Sequence, residues 1–176
     1  MRTRIVAVAV TGTILFLWQF LSFAALDLHG GESGYTDRQD NLLETLAAEL
    51  KPGNYLLPQA TPGEDQQAFL EKAHGRPWAR IEYHAALDTG MALPMIRSFV
   101  ADLLAAWLLV WLLLQRPAVT IGHAVMTSLA VGGISFLTIP YLDSSWFDND
   151  SAPFLMDWFA QWGAAGLWLG WWLGRR

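Results

Sequence analysis

The stretch Ile5–Ala25, IVAVAVTGTILFLWQFLSFAA, holds no charged residue in 21 positions. At 1.5 Å per residue a helix of that length covers about 31 Å, enough to cross a hydrocarbon core. A secretory leader is the competing reading. Arg2 and Arg4 precede the stretch, and Ser22-Phe23-Ala24 resembles a cleavage site. The stretch is long for a leader and contains Trp18 and Gln19, so a retained helix is expected. Three further apolar blocks cover approximately residues 96–114, 118–142 and 153–173. The predicted fold class is therefore a mainly α membrane protein. Residues 1–26 form the first transmembrane helix, 27–95 a small α+β extracytoplasmic domain, and 96–176 a three-helix transmembrane region.

Composition agrees with this and closes other routes. Charged residues make up 15% of the chain, against about 25% in a soluble domain. Net charge is -5 and no basic stripe is present, so nucleic acid is not an expected partner. The chain has no cysteine, which excludes disulfide frameworks, thiolate metal sites and thiol redox chemistry. The four-helix quinone-linked disulfide oxidases, alike in size and topology, are excluded with them.

Orientation follows from the basic residues. Arg2, Arg4, Arg116, Arg175 and Arg176 flank the apolar blocks on one side, with no acid among them. The loop from Asp143 to Pro153 carries Asp143, Asp148 and Asp150 and no basic residue. The positive-inside rule then predicts both termini in the cytoplasm and residues 27–95 outside a bacterial inner membrane.

Within the outer segment, Thr36-Asp37-Arg38-Gln39 has the form of a capping box. Leu42, Leu43, Leu46, Ala47 and Leu50 follow on one helical face, which Pro52-Gly53 ends. Asn54–Leu57 reads as a strand stopped by Pro58, and Thr61–Asp65 opens a second helix with Phe69, Leu70 and Ala73 facing inward. Trp78–Leu87 alternates like a second strand. Two helices on a two-stranded sheet are marginal alone, so support from the membrane helices is expected.

Small residues recur every four positions in two blocks: Ala124, Ser128 and Gly132, and Gly166, Gly170 and Gly174. Such stripes let helices approach closely in lipid. They are expected to face each other or another protein.

Asp102 and Asp157 are the acids inside apolar blocks. Both are expected near outer helix ends, favoured by the helix dipole and paired with Arg97. The functional alternative is a proton or cation site. His123 stands alone in its block, which does not suit a haem-binding bundle. His29, His74 and His84 lack the close spacing of a zinc site. No metal site, cofactor or catalytic residue is predicted from them. Trp107 and Trp111, Trp158 and Trp162, and Trp168 and Trp172 pair at helical spacing. Trp107, Trp111, Trp162 and Trp168 fall deep enough to line a groove for a quinone, pigment or lipid tail. No phosphate loop, nucleophile elbow or zinc-protease motif occurs.

Three stretches carry a resemblance: Phe16–Phe23 with Leu26-Asp27-Leu28-His29, Gly53–Pro58, and Gly75 through Pro77 to Met91 and Pro94. Together they resemble an uncharacterised family of small bacterial membrane proteins. Those have an anchor helix rich in Phe, Trp and Ser, an outer domain with a Gly-x-Tyr-x-x-Pro step, and three further helices. The resemblance implies that topology and an envelope location, and no activity. Family members tend to have Pro-Trp-His where this chain has Asp27-Leu28-His29, a departure that speaks against a special role for His29.

The leading functional expectation is a non-enzymatic accessory subunit or assembly factor of a larger membrane complex, with lipid and other membrane proteins as partners. The alternatives are a small ion-coupled transporter using Asp102 and Asp157, and a binder of an apolar cofactor.

Overall fold

A computed structural model describes residues 1–175; Arg176, counted above among the cytoplasmic charges, lies outside the described residues. The architecture is mainly helical with one two-stranded sheet. It divides into two compact units, one made of Met1–Gly34 together with the chain from Gly90 onward, the other of Tyr35–Thr89.

The first unit is a bundle. α1 (Arg2–Phe20) continues into a π-helical turn at Leu21–Ala25. α4 (Ala92–Leu113) and α5 (Ile121–Thr138) follow. Pro140 cannot donate to the α5 ladder, and the helix breaks at Ile139 before resuming as α6 (Pro140–Phe147). The chain therefore stays helical through Phe147, where a loop from Asp143 is expected. The last apolar block forms one helical run: α7 (Ala152–Asp157), a π-helical turn at Trp158–Trp162, and α8 (Gly163–Leu173).

Three helices are long and apolar enough to cross a membrane: Arg2–Ala25, Ala92–Leu113 and Ile121–Phe147. The last run, with Asp157, Gln161 and many Trp and Gly residues, is not among them.

α1 packs against α4 on one side and α8 on the other, and α5 packs on α8. Leu15, Leu109, Leu113 and Leu169 are among the fully buried side chains. The small-residue stripes account for the α5–α8 contact. A Cβ on Gly166 would lie 2.7 Å from the Cα of Val125, and one on Gly170 would lie 2.5 Å from the Cα of Ile121. Those same glycines sit against Ser128 and Ala124 respectively. Gly132 faces Trp162 and Trp158 instead, and Gly174 faces the Val119 carbonyl. A third close approach joins α1 to α4, where Gly12 meets the Leu103 backbone.

In the second unit, α2 (Gln39–Glu49) and β1 (Gly53–Leu57) precede α3 (Gln66–Ala73) and β2 (Ala79–Tyr83). β1 and β2 are antiparallel, with Tyr55 opposite Ile81 and Leu57 opposite Ala79. The expected capping box at Thr36–Gln39 is not formed. Thr36 Oγ1 accepts from the Arg38 amide, Arg38 becomes the N-cap residue, and α2 starts without a side-chain cap. Leu42 and Leu43 stay more than half exposed, and no residue of this unit is fully buried. α3 has the stronger start: Asp65 accepts from the Gln67 and Ala68 amides at 3.1 and 2.9 Å. Asp65→Ala is expected to remove about 1 kcal/mol of local helix stability. Hydrogen exchange at Gln67 and Ala68 should accelerate accordingly, with amides of the first unit unchanged.

Candidate functional site

α1 is a long apolar helix with a polar patch at its end, Trp18, Gln19 and Ser22. Trp18 and Ser22 are four residues apart and share a face. Gln19 is rotated by about 100° and serves another neighbour. The geometry follows this division. The Trp18 indole and the Ser22 hydroxyl both donate to Asp157 Oδ1, at 2.9 and 2.6 Å. Gln19 Nε2 donates to Asp102 Oδ1 at 3.0 Å. The two acids meet consecutive residues of α1 and so lie at one level of the bundle.

Beyond the π-helical turn the chain folds back. Asp27 takes a left-handed conformation (φ 50°), which an aspartate tolerates, and the Leu28 amide donates to the Ser22 carbonyl. His29 is thereby returned to the bundle, where it is 7% exposed. Its Nε2 lies 2.9 Å from Asp157 Oδ2, and its Nδ1 makes a short contact with Glu32 in the following 3-10 turn. Phe23 stacks on the ring at 3.8 Å and Phe154 meets it edge-on. Residues 27–34, placed by composition in the outer segment, thus belong with the helices because His29 and Leu28 bond back onto them.

Both imidazole nitrogens face carboxylates, which as ions can only accept, so the arrangement is satisfied when both nitrogens carry protons. Burial acts to lower the His29 pKa, but the hydrogen bonds to Glu32 and Asp157 and their negative charges outweigh it, and the net shift is upward. The charged groups that face the ring are Glu32 on its own turn and Asp157 on α7. A histidine whose folded pKa is raised stabilises the fold fully below its unfolded value of about 6.5, and that contribution fades as pH rises through the folded value. The detergent-solubilised protein is therefore expected to lose stability as pH climbs above about 6.5, and His29→Gln should flatten this slope. Unfolding midpoints measured across that range check it.

Asp102 differs from Asp157. It is also 7% exposed, but its Oδ2 is buried without a hydrogen-bond partner. The expected pairing with Arg97 is not formed. Arg97 is exposed, and residues five apart on a helix point about 140° away from each other, so Arg97 cannot share the inward face of Asp102. Nor does the α4 dipole favour Asp102, because α4 begins at Ala92 and places it about three turns in. Asp157, in the second turn of its run, does have that position.

A cavity of about 230 Å³ opens beside this cluster, between α1, α5 and the last helical run. Gln19, Asp157, Ser135 and Gln161 give it polar wall, and Phe23, Phe136, Phe154, Trp158 and Trp162 give it aromatic wall. The Trp158 indole is committed to the Leu129 carbonyl at 2.8 Å. A larger groove of about 610 Å³ lies elsewhere, between the start of α1 and the end of α4, lined among others by Arg4, Trp107, Trp111 and Gln115. The four deep tryptophans do not converge on one groove. Trp107 and Trp111 line the larger one, Trp162 the smaller, and Trp168 stacks on Trp172 at 5.3 Å.

Among the described residues no three His, Asp or Glu side chains are placed to hold a metal ion together. His74 and His84 lie in the second unit, His84 against Glu82, and His123 lies in the first turn of α5 beside Thr127. His29 is the functional-looking residue that its sequence context does not reveal. The available signal was the polar patch Trp18, Gln19 and Ser22 at the end of an apolar helix, which needs polar partners. No protein family, curated protein or solved structure matches this chain.

Proposed function

We infer that this chain is a non-enzymatic multi-pass protein of a bacterial inner membrane, and that it serves a larger membrane complex as an accessory subunit or assembly factor. All four apolar blocks cross the bilayer in this reading. The close glycine packing of α8 on α5 supports the last crossing, since a helix so tightly apposed to a spanning helix shares its environment. Arg175 stacked over Trp171, 3.4 Å from the ring centroid, suits a cytoplasmic interface at the end of α8. The His29–Asp157 cluster then lies at the outer level.

The observation that carries the reading is the use made of Asp157. Its two oxygens are taken up by Trp18, Ser22 and His29, so it fastens the exit of α1 to the last helix rather than facing a substrate. Trp107 and Trp111 on α4, each 55% exposed beside the larger groove, supply a lateral surface for another membrane protein. Native purification in mild detergent, read by mass spectrometry, tests this. Partner proteins at fixed stoichiometry are expected; a lone chain would count against it.

One observation favours a second reading. Asp102 carries a buried, unpartnered carboxylate oxygen and accepts from Gln19, a wall residue of the cavity that reaches Asp157, and a buried acid so linked is what an ion-coupled carrier would need. Asp102→Asn should abolish transport in that case and leave partner binding intact.

A further inference from the structure

The chain leaves the first unit through a short strap, and one side chain holds that strap down. Of residues 23–34 only His29 is buried; Leu28 is half-buried and the others are exposed. The strap ends at Gly34, where the second unit begins. Its 3-10 turn, Gly30–Glu32, is closed twice over. The Glu32 amide donates to the His29 carbonyl at 3.0 Å, and the Glu32 carboxylate meets His29 Nδ1. A Cβ on Gly31 or Gly34 would meet nothing within 4 Å, so packing does not hold the backbone there.

The two carboxylates on the ring are not equivalent. Asp157 is fixed, because Trp18 and Ser22 both donate to its Oδ1 and its side chain is 10% exposed. The Glu32 side chain is 36% exposed, and among the described residues its carboxylate has only His29. Among the described residues no Lys or Arg pairs with either acid, so the imidazolium is the one positive charge between them. Phe23 and Phe154, which pack on the ring, bring no charge. A neutral imidazole keeps one N–H and one lone pair. Retaining the proton on Nε2 preserves the bond to buried Asp157. The Nδ1 lone pair then faces Glu32, acceptor against acceptor. Glu32 can turn to water at small cost, whereas Asp157 cannot.

From this asymmetry we propose that residues 30–34 form a proton-operated hinge: protonated His29 holds Glu32 and closes the turn, and loss of the Nδ1 proton frees the turn and slackens the connection to the second unit while His29 stays on Asp157. Burial lowers the His29 pKa and the two carboxylates together raise it by more, so the change falls above the ordinary value of about 6.5. The hinge is closed below that transition and open above it. It is independent of whether the chain serves a larger complex.

The test uses the full chain in nanodiscs with one fluorophore, on Ser33→Cys, since the chain has no cysteine of its own. Anisotropy is followed from about pH 5.5 to about pH 8.5, the range in which histidine titrates. It is expected to fall in one step as pH rises, with a midpoint above about 6.5. The same probe on Gln115→Cys, past the end of α4, should show no step, which separates opening of the turn from loss of the fold. His29→Gln should abolish the step. So should Glu32→Gln, because a glutamine amide can donate to the Nδ1 lone pair and keep the turn closed at high pH. Labelled-histidine NMR, with His29 assigned by its absence in His29→Gln, should show the Nε2–H tautomer above the midpoint. A flat wild-type profile overturns the proposal, as does a step of equal size in Glu32→Gln or His29→Gln. An Nδ1–H tautomer at high pH also overturns it, since the release would then lie at Asp157. If His29→Gln does not fold, the profiles of the wild-type chain and Glu32→Gln decide.

Discussion

Asp157→Ala is expected to destabilise the helical unit by about 3–5 kcal/mol, the range found when one partner of a buried ionic cluster is removed. The reason is what remains behind. The Trp18 indole, the Ser22 hydroxyl and the His29 Nε2 all lose their partner, and Ser22 and His29 are buried. A buried donor without a partner costs more than its hydrogen bond contributed. His29→Ala removes one of the same contacts, so the double variant should be far less destabilised than the two single effects added together. Reversible unfolding in mixed micelles gives these values. A loss below about 1 kcal/mol for Asp157→Ala would mean that solvent already satisfies these groups, and the fastening role would fall.

The second large effect concerns the interface between α5 and α8. Gly170→Leu is expected to cost at least about 3 kcal/mol, the upper range for overpacking. Even the first added carbon would sit 2.5 Å from the Ile121 Cα, and backbone cannot turn aside as a side chain can. The helices would have to separate, losing the Ala124 and Ser128 contacts as well. Gly163→Ala provides the comparison. Its Cβ would meet nothing within 4 Å, and replacing a helical glycine by alanine is worth about 0.5–1 kcal/mol in the opposite direction. Two glycine substitutions on one helix should therefore move stability in opposite senses.

Much of the helical unit could be read from the chain itself, because the features that shape it are local and periodic. Apolar runs of helical length mark α1, α4 and α5, and the four-residue spacing of small residues marks the contact of α5 with α8. The acid cluster was only half legible. Asp102 and Asp157 stand out as charges in apolar blocks, yet their partners do not. His29 reaches Asp157 across 128 positions of sequence, and no local pattern signals such a pairing. The π-helical turn at Leu21–Ala25 and the left-handed Asp27, which together return His29 to the bundle, have no periodic signature either. Arg97 attracted attention through proximity in sequence, whereas helical phase sets it on the exposed side. In the second unit the strands were marked by Pro and Gly punctuation. The capping box failed because Thr36 spent its oxygen on the Arg38 amide, two residues on.

In the proposed topology the last helical run crosses the bilayer and the His29–Asp157 cluster lies at the outer leaflet. Because the chain has no cysteine, single cysteines can be placed at will. Ser33→Cys, Asn149→Cys, Gln115→Cys and Arg175→Cys, treated in intact cells with a membrane-impermeant maleimide, give the decisive comparison. Labelling of Ser33→Cys and Asn149→Cys from outside, with Gln115→Cys and Arg175→Cys labelled only after lysis, is the expected result. Labelling of Asn149→Cys and Arg175→Cys from the same side would remove the fourth crossing and contradict the proposed architecture.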